Sequence, residues 1–266
     1  PYPNQSINNQ AMAIWDADDD ADVPFTDNFN SPTYDVTVND GIKLIVWGAT
    51  GTYYVPGGKV TTSTSTASAG TDGDVLVQAG GLLYTANYGN QNDFTVGGDF
   101  INLGQYEFGG GGEKFIFTGT GSNYTLTTGN WPYQIFDFTG SGGSWTQTDV
   151  QTNDYLAVVM TAGTLNGSQD FMTRDITGNG TVNWTGGTFT VGTYAPTDFG
   201  GNSAWTFNNL TISNNEIVTA IGSGGITVSG VLTIDTDATL DAKGKTWTLS
   251  GTTGTPLVTT GTLNDS

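Results

Sequence analysis

Aspartate is the residue through which this chain offers chemistry. Asp16, Asp18, Asp19, Asp20 and Asp22 crowd one short stretch. Carboxylates at alternating positions supply the oxygens that a hard cation such as calcium takes. The stretch lacks the sixth-position glycine and distal glutamate of an EF-hand loop, and a solvated acidic run accounts for the same residues. A second set lies in 174–181, where Asp175 and Asn179 have the outline of a D-x-x-x-N-G calcium turn and Gly180 stands at the bend. Asn-Gly is also an ordinary β-turn signal. The candidate metal ligands are therefore Asp16, Asp18, Asp20, Asp175 and Asn179, and calcium is the one cofactor left open. Asp235, Asp237 and Asp241 have the side chains for acid and base work on a glycoside. They fit equally well a turn between Ile234 and Leu240.

The partners that such carboxylates need are scarce. The chain has no cysteine and no histidine, which removes the thiol nucleophile, the disulfide framework and the commonest general base. Lys and Arg total 6 against 25 Asp and Glu, for a formal charge of −19. A surface this acidic repels phosphate backbones and anionic lipid heads, so neither nucleic acid nor a membrane is expected as a partner. No apolar run is long enough to span a bilayer. With no nucleophile, base and electrophile together, the chain is expected not to be an enzyme.

The elements that would carry these side chains are strands. The chain has 266 residues, of which 40 are glycine. Gly, Thr, Asn and Ser stand where helical proteins place Lys and Glu. Helical apolar spacing is absent, whereas period two is common. Phe94 and Val96, Phe115 and Phe117, Tyr124 and Leu126, Ile226 and Val228, Leu232 and Ile234, and Trp247 and Leu249 each put two apolar side chains on one face. Threonine fills many positions between them, as suits a solvated strand face. Inward pairs start at Phe94, Phe100, Phe108 and Phe115, and again at Ile226, Leu232, Leu240 and Trp247. Strands this short and this closely spaced predict a solenoid with coils of roughly 21 residues, stacked about 4.8 Å apart. Phe100, Phe108, Phe117, Leu232, Leu240 and Leu249 are its expected core.

The halves of the chain also align without a gap, 94–129 over 226–261, with apolar positions meeting apolar ones. The expected organisation is all-β: an extended N-terminal arm over 1–40, then a parallel β-helix or solenoid body over 41–266 with this internal repeat. The alternative is two β-sandwich domains of pilin type. The stretch ITVSGVLTIDTDATLDAKGKTWTLSG (226–251), with NNLTISNN (208–215) before it, resembles the repeats of secreted bacterial surface proteins of the adhesin and autotransporter type. FTVGGDFINLGQYEFGGGGEKFIFTG (94–119) is a weaker copy. The resemblance implies a right-handed parallel β-helix and a cell-surface setting, and it carries over no catalytic residue.

Function is expected to follow from this architecture. Pro1 is followed by no basic and then apolar leader, so a signal peptide is expected to be absent or already removed. The repeat runs to Leu263 with no polar capping segment after it, which leaves strand edges open. The polar first forty residues contain Ile14, Trp15, Val23, Phe25 and Phe29, the expected anchors of an interface with a neighbouring copy. The leading expectation is a structural subunit of an extracellular or cell-surface fibre, polymerising head to tail by strand addition. Alternatives are an adhesin or carbohydrate-binding module using an aromatic face, and, behind it, a β-helix enzyme acting on polysaccharide. Glycans are also conceivable as attachments, at the sequons of Asn123, Asn166, Asn183 and Asn209.

Overall fold

A computed structural model describes residues 94–108, 114–129, 135–152, 156–192, 197–213, 217–252 and 254–265, together with the short strands before them. Over those earlier strands and 105–108 only the course of the backbone is described, Asp74 and Val75 excepted. The elements in chain order begin with β1 (Ser6–Ile7), β2 (Ala13–Trp15), β3 (Val36–Val38), β4 (Leu44–Val46), β5 (Thr52–Pro56), β6 (Val60–Thr62), β7 (Val75–Val77) and β8 (Leu82–Ala86). There follow β9 (Phe94–Val96), β10 (Phe100–Asn102), β11 (Gln105–Phe108), β12 (Lys114–Phe117), β13 (Tyr124–Thr127), β14 (Ile135–Phe138), β15 (Ser144–Gln147), β16 (Ala157–Met160) and β17 (Thr164–Gly167). Next come β18 (Phe171–Thr173), β19 (Asp175–Gly178), β20 (Thr181–Val191), β21 (Thr197–Gly201), β22 (Trp205–Ile212) and β23 (Ile217–Ala220). The last are β24 (Ile226–Val228), β25 (Leu232–Ile234), β26 (Thr239–Asp241), β27 (Trp247–Leu249), β28 (Leu257–Thr259) and β29 (Thr262–Asn264).

The chain divides into two compact units, Pro1–Gly129 with Thr139–Trp145, and Asn130–Phe138 with Thr146–Ser266. In the first, parallel rows run β1–β3–β6–β9–β12, β2–β4–β7–β10–β13 and β5–β8–β11. In the second, one row runs β14–β16–β19–β21–β23–β26–β29 and another β17–β20–β22–β24–β27, with β18 on β20, β25 on β22 and β28 on β25. The protein is an all-β solenoid of about 7 turns. Parallel pairing between strands one coil apart is what a solenoid requires, and it excludes the antiparallel sandwich of the alternative.

The coil length read from the sequence is present in the register. Phe94 lies beside Phe115, and Ile226 beside Trp247. Elsewhere paired positions lie between 17 residues apart (Asn166 and Asn183) and 34 apart (Val60 and Phe94). The two aligned segments are nonetheless laid out differently. β9, β10 and β11 occupy three rows, whereas β24 and β25 both lie against β22. Because turns vary in length, an alignment can match strand to strand without matching corner to corner of the coil. Three strands fall within 1–40, and they pair with the same chain: Ser6 with Thr37, Ala13 with Leu44 and Val36 with Val60.

Alternating residues face inward. Phe100, Phe117, Leu232 and Leu240 are buried as expected. Leu249 is half-buried because it lies on β27, the last strand of its row, and the side chain of Phe108 lies outside the described residues. In the second unit Phe171, Phe189, Leu210, Leu232 and Leu257 form one continuous inward column. Phe171 and Phe189 stack at 5.1 Å, the distance that neighbouring strands impose. Many acidic and amide side chains hold one rung to the next. Asp99 N donates to Asp74 Oδ1 (2.8 Å) and Thr125 N to Asp99 Oδ1 (2.7 Å). In the second unit Thr188 N donates to Asp170 Oδ1 (2.8 Å) and Val231 N to Asn209 Oδ1 (3.0 Å). Asx side chains suit this because they accept locally where a turn leaves backbone N–H groups without a ladder partner.

Candidate functional site

The outer face of the β14–β16–β19–β21–β23 row contains a hollow of about 390 Å³. Register assembles it. Ile135 lies beside Ala157, Ala157 beside Asp175, and Asp198 beside Thr219. Ile176 pairs with Phe199, which brings Asp175 and Asp198 to neighbouring rungs of the same outward column. The small side chain of Ala157, between Ile135 and Asp175, leaves the depression. Val159 and Thr177 form part of the lining, and Arg174 stands at its edge.

Arg174 is the only arginine of the chain. Its backbone N–H donates to Leu156 O at 2.7 Å, and Thr173 Oγ1 donates to the carbonyls of Leu156 and Asp175, so this corner is held on three sides. Arg174 Nε donates to Asp175 Oδ2 at 3.1 Å. Burial pushes the Asp175 carboxyl above its ordinary value of 3.8, Arg174 pulls it the other way, and the neighbouring Asp198 adds to the rise. A carboxyl whose folded pKa is raised binds its proton more tightly in the folded state, so its contribution is fully present below about 3.8 and is lost as pH rises through the folded value. Asp175→Asn is therefore expected to gain on the wild type as pH rises over about 3 to 7, read as the difference between their melting temperatures. A difference that stays flat with pH would contradict the assignment.

Asp175 and Asn179 have separate partners. Asp175 is bonded to Arg174, while Asn179, past the end of β19, accepts from Asn202 Nδ2 at 2.7 Å through Oδ1 and from Ser203 Oγ through its carbonyl. Among the described residues no group of three or more acidic, histidine or cysteine side chains is placed to share an ion. Asp16, Asp18 and Asp20 lie outside the described residues, as do Val23, Phe25 and Phe29. Ile14 and Trp15 fall in β2, where only the backbone is described. Asp237 has φ of 62° in the turn between β25 and β26, and Asp241 pairs with Lys243 at 3.5 Å.

Trp145, Trp184 and Trp205 are fully buried, so these three form no aromatic face for a sugar. Their indole N–H groups donate to the backbone carbonyls of Gly98, Gln169 and Gly180. Of the four sequons, Asn183 Nδ2 donates to Asn166 Oδ1, and Asn209 binds both Gly187 O and Val231 N. Asn123 alone of the four is exposed, in the turn before β13 with φ of 65°.

Sequence reading missed the hollow. Its only signal was the isolated Arg-Asp pair, and Asp198 joins that pair solely through register. Among the described residues no helix is long and apolar enough to cross a membrane. No protein-family model, no curated protein and no solved structure matches the chain. What fold and site define is a class: an acidic β-solenoid with a filled aromatic core and a small mixed-charge hollow on one outer face.

Proposed function

We propose that the chain is a structural subunit of an extracellular fibre or surface appendage, and that copies of it join head to tail by strand addition. The observation that supports this reading is the outward face of β27, β28 and β29. Ile226 N donates to Thr246 O, Ser250 N to Val228 O, Leu232 N to Pro256 O, Thr260 N to Ile234 O and Thr262 N to Ala238 O. In a parallel ladder the residues between these point the other way. The N–H and C=O groups of Trp247, Leu249, Leu257, Thr259 and Leu263 are thus turned toward the position of a next rung. A parallel ladder of this kind is lengthened by any further strand laid along it, and a strand from another copy does so as well as one from the same chain.

In this reading the mating strands are β1 and β2, which begin their rows, and residues 1–40 act as the assembly arm with Ile14, Trp15, Val23, Phe25 and Phe29 as its anchors. A head-to-tail contact that does not close gives a filament. At −19 per copy the subunits repel, so assembly strengthens with added salt. The setting outside the cell rests on the sequence resemblance and the composition.

The test uses Thr259→Pro. Proline there removes a donor that faces away from the preceding rung, and so spares the subunit's own ladder. Wild-type chain is expected to form filaments by electron microscopy, more readily at about 200 mM salt than at about 10 mM. Thr259→Pro is expected to sediment as a single subunit with an unchanged circular dichroism spectrum. A wild-type chain that stays monomeric at both salts, or a proline variant that polymerises normally, would sink the proposal.

A further inference from the structure

We propose that the hollow formed by Ile135, Ala157, Arg174, Asp175, Asp198 and Thr219 binds a neutral, hydroxyl-rich saccharide. This goes beyond the structural role and does not depend on assembly, since every lining residue belongs to the second unit.

Arg174 uses one of its five N–H donors on Asp175, and its other side-chain donors have no partner among the described residues. Asp175 Oδ1 and both oxygens of Asp198 likewise have no hydrogen-bond donor among the described residues. Thr177 and Thr219 add hydroxyls to the lining. Donors and acceptors therefore stand side by side within one hollow, against an apolar floor of Ile135, Ala157 and Val159.

Three ligand classes meet this arrangement differently. A cation satisfies the two carboxylates and is repelled by the guanidinium. An anion such as a uronate or phosphate satisfies the guanidinium and is repelled by two carboxylates one rung apart. A hydroxyl donates and accepts at once, so a run of hydroxyls on a sugar ring satisfies both kinds of group, while the C–H face of the ring lies on the apolar floor. The hollow is open and small, near the lower end of ligand-site volumes, which implies weak and fast binding with Kd of about 0.1–5 mM.

The lone arginine provides the readout, because the chain contributes only one Arg Nε–Hε signal to a ¹⁵N spectrum. Full-length Thr259→Pro chain, kept monomeric, is titrated with maltotriose, cellotriose, mannotriose, a galacturonic acid trimer and spermidine. At least one neutral trisaccharide is expected to move the Arg174 signal saturably, with little movement from the acid or the amine. Asp198→Asn is expected to weaken that binding about tenfold, as loss of a charged acceptor does. Ala157→Leu fills the hollow without changing charge and is expected to abolish it. Melting curves confirm that both variants are folded. The inference is overturned if no neutral trisaccharide moves the signal, if the acid or the amine moves it as strongly, or if the two folded variants bind like their parent. Should Thr259→Pro itself polymerise, the strand-addition proposal fails and the titration is read on that chain's dispersed form at low salt.

Discussion

Replacing Trp184 by alanine is expected to destabilise the solenoid by about 3–5 kcal/mol, the range for removing a large aromatic from a packed core. Trp184 is fully buried on β20. Its ring lies 5.1 Å from Phe171 and 5.0 Å from Phe189, the latter edge-on at 79°, and its N–H donates to Gln169 O at 2.8 Å. It also occupies the space a side chain at Gly167 would need, since a Cβ there would come within 2.1 Å of the ring. Truncation empties that volume and leaves the Gln169 carbonyl without its donor. Urea unfolding is the measurement. Trp184→Phe, which keeps most of the volume but loses the N–H, should lie between the wild type and alanine. A loss below about 1 kcal/mol for Trp184→Ala would mean that the column collapses around the gap.

Gly201→Ala is expected to be as damaging, although it adds a single methyl group. Gly178, Gly201 and Gly222 stand at one corner of successive coils, and a Cβ on Gly201 would lie 1.4 Å from Gly178 O. A Cβ on Gly222 would in turn come within 2.4 Å of the Gly201 backbone. The obstacle is backbone rather than the end of a flexible side chain, so relief requires the rungs to separate. The expected cost is about 3 kcal/mol or more, at or beyond the upper end for overpacking. Gly244→Ala is the control. Its φ of 62° is left-handed, but nothing lies within 4 Å of the added carbon, so it carries only the conformational cost of about 1 kcal/mol. Melting temperatures that fail to separate Gly201→Ala from Gly244→Ala would show that the corner spacing is soft.

Much of this architecture was legible beforehand for a local reason. A strand's period of two is written in neighbouring residues, and in a solenoid the next strand to be stacked upon follows within one short coil. The pairing of Phe94 with Phe115 and of Ile226 with Trp247 could therefore be read as spacing. Residues 130–180 depart from the 21-residue rhythm, yet their described strands belong to the same parallel rows. There the rungs shorten, with Ala157 beside Asp175 and Asn166 beside Asn183, so the spacing that marks the other coils is missing. The aligned halves misled about layout because turn lengths differ while strand patterns do not.

Composition and alternation by themselves determined an all-β stack with Phe and Leu inside and threonine outside, since burial of apolar side chains at period two has few other solutions. Only the tertiary structure decided which distant residues became neighbours. Coil lengths vary between 17 and 34 residues, and each change of length moves every later residue relative to the rung below. That stagger placed Asp198 beside Asp175 and its arginine, while three tryptophans fell into the core. Register is set by the summed fit of turns, inward side chains and ladder bonds over a whole rung, and no single motif carries that sum.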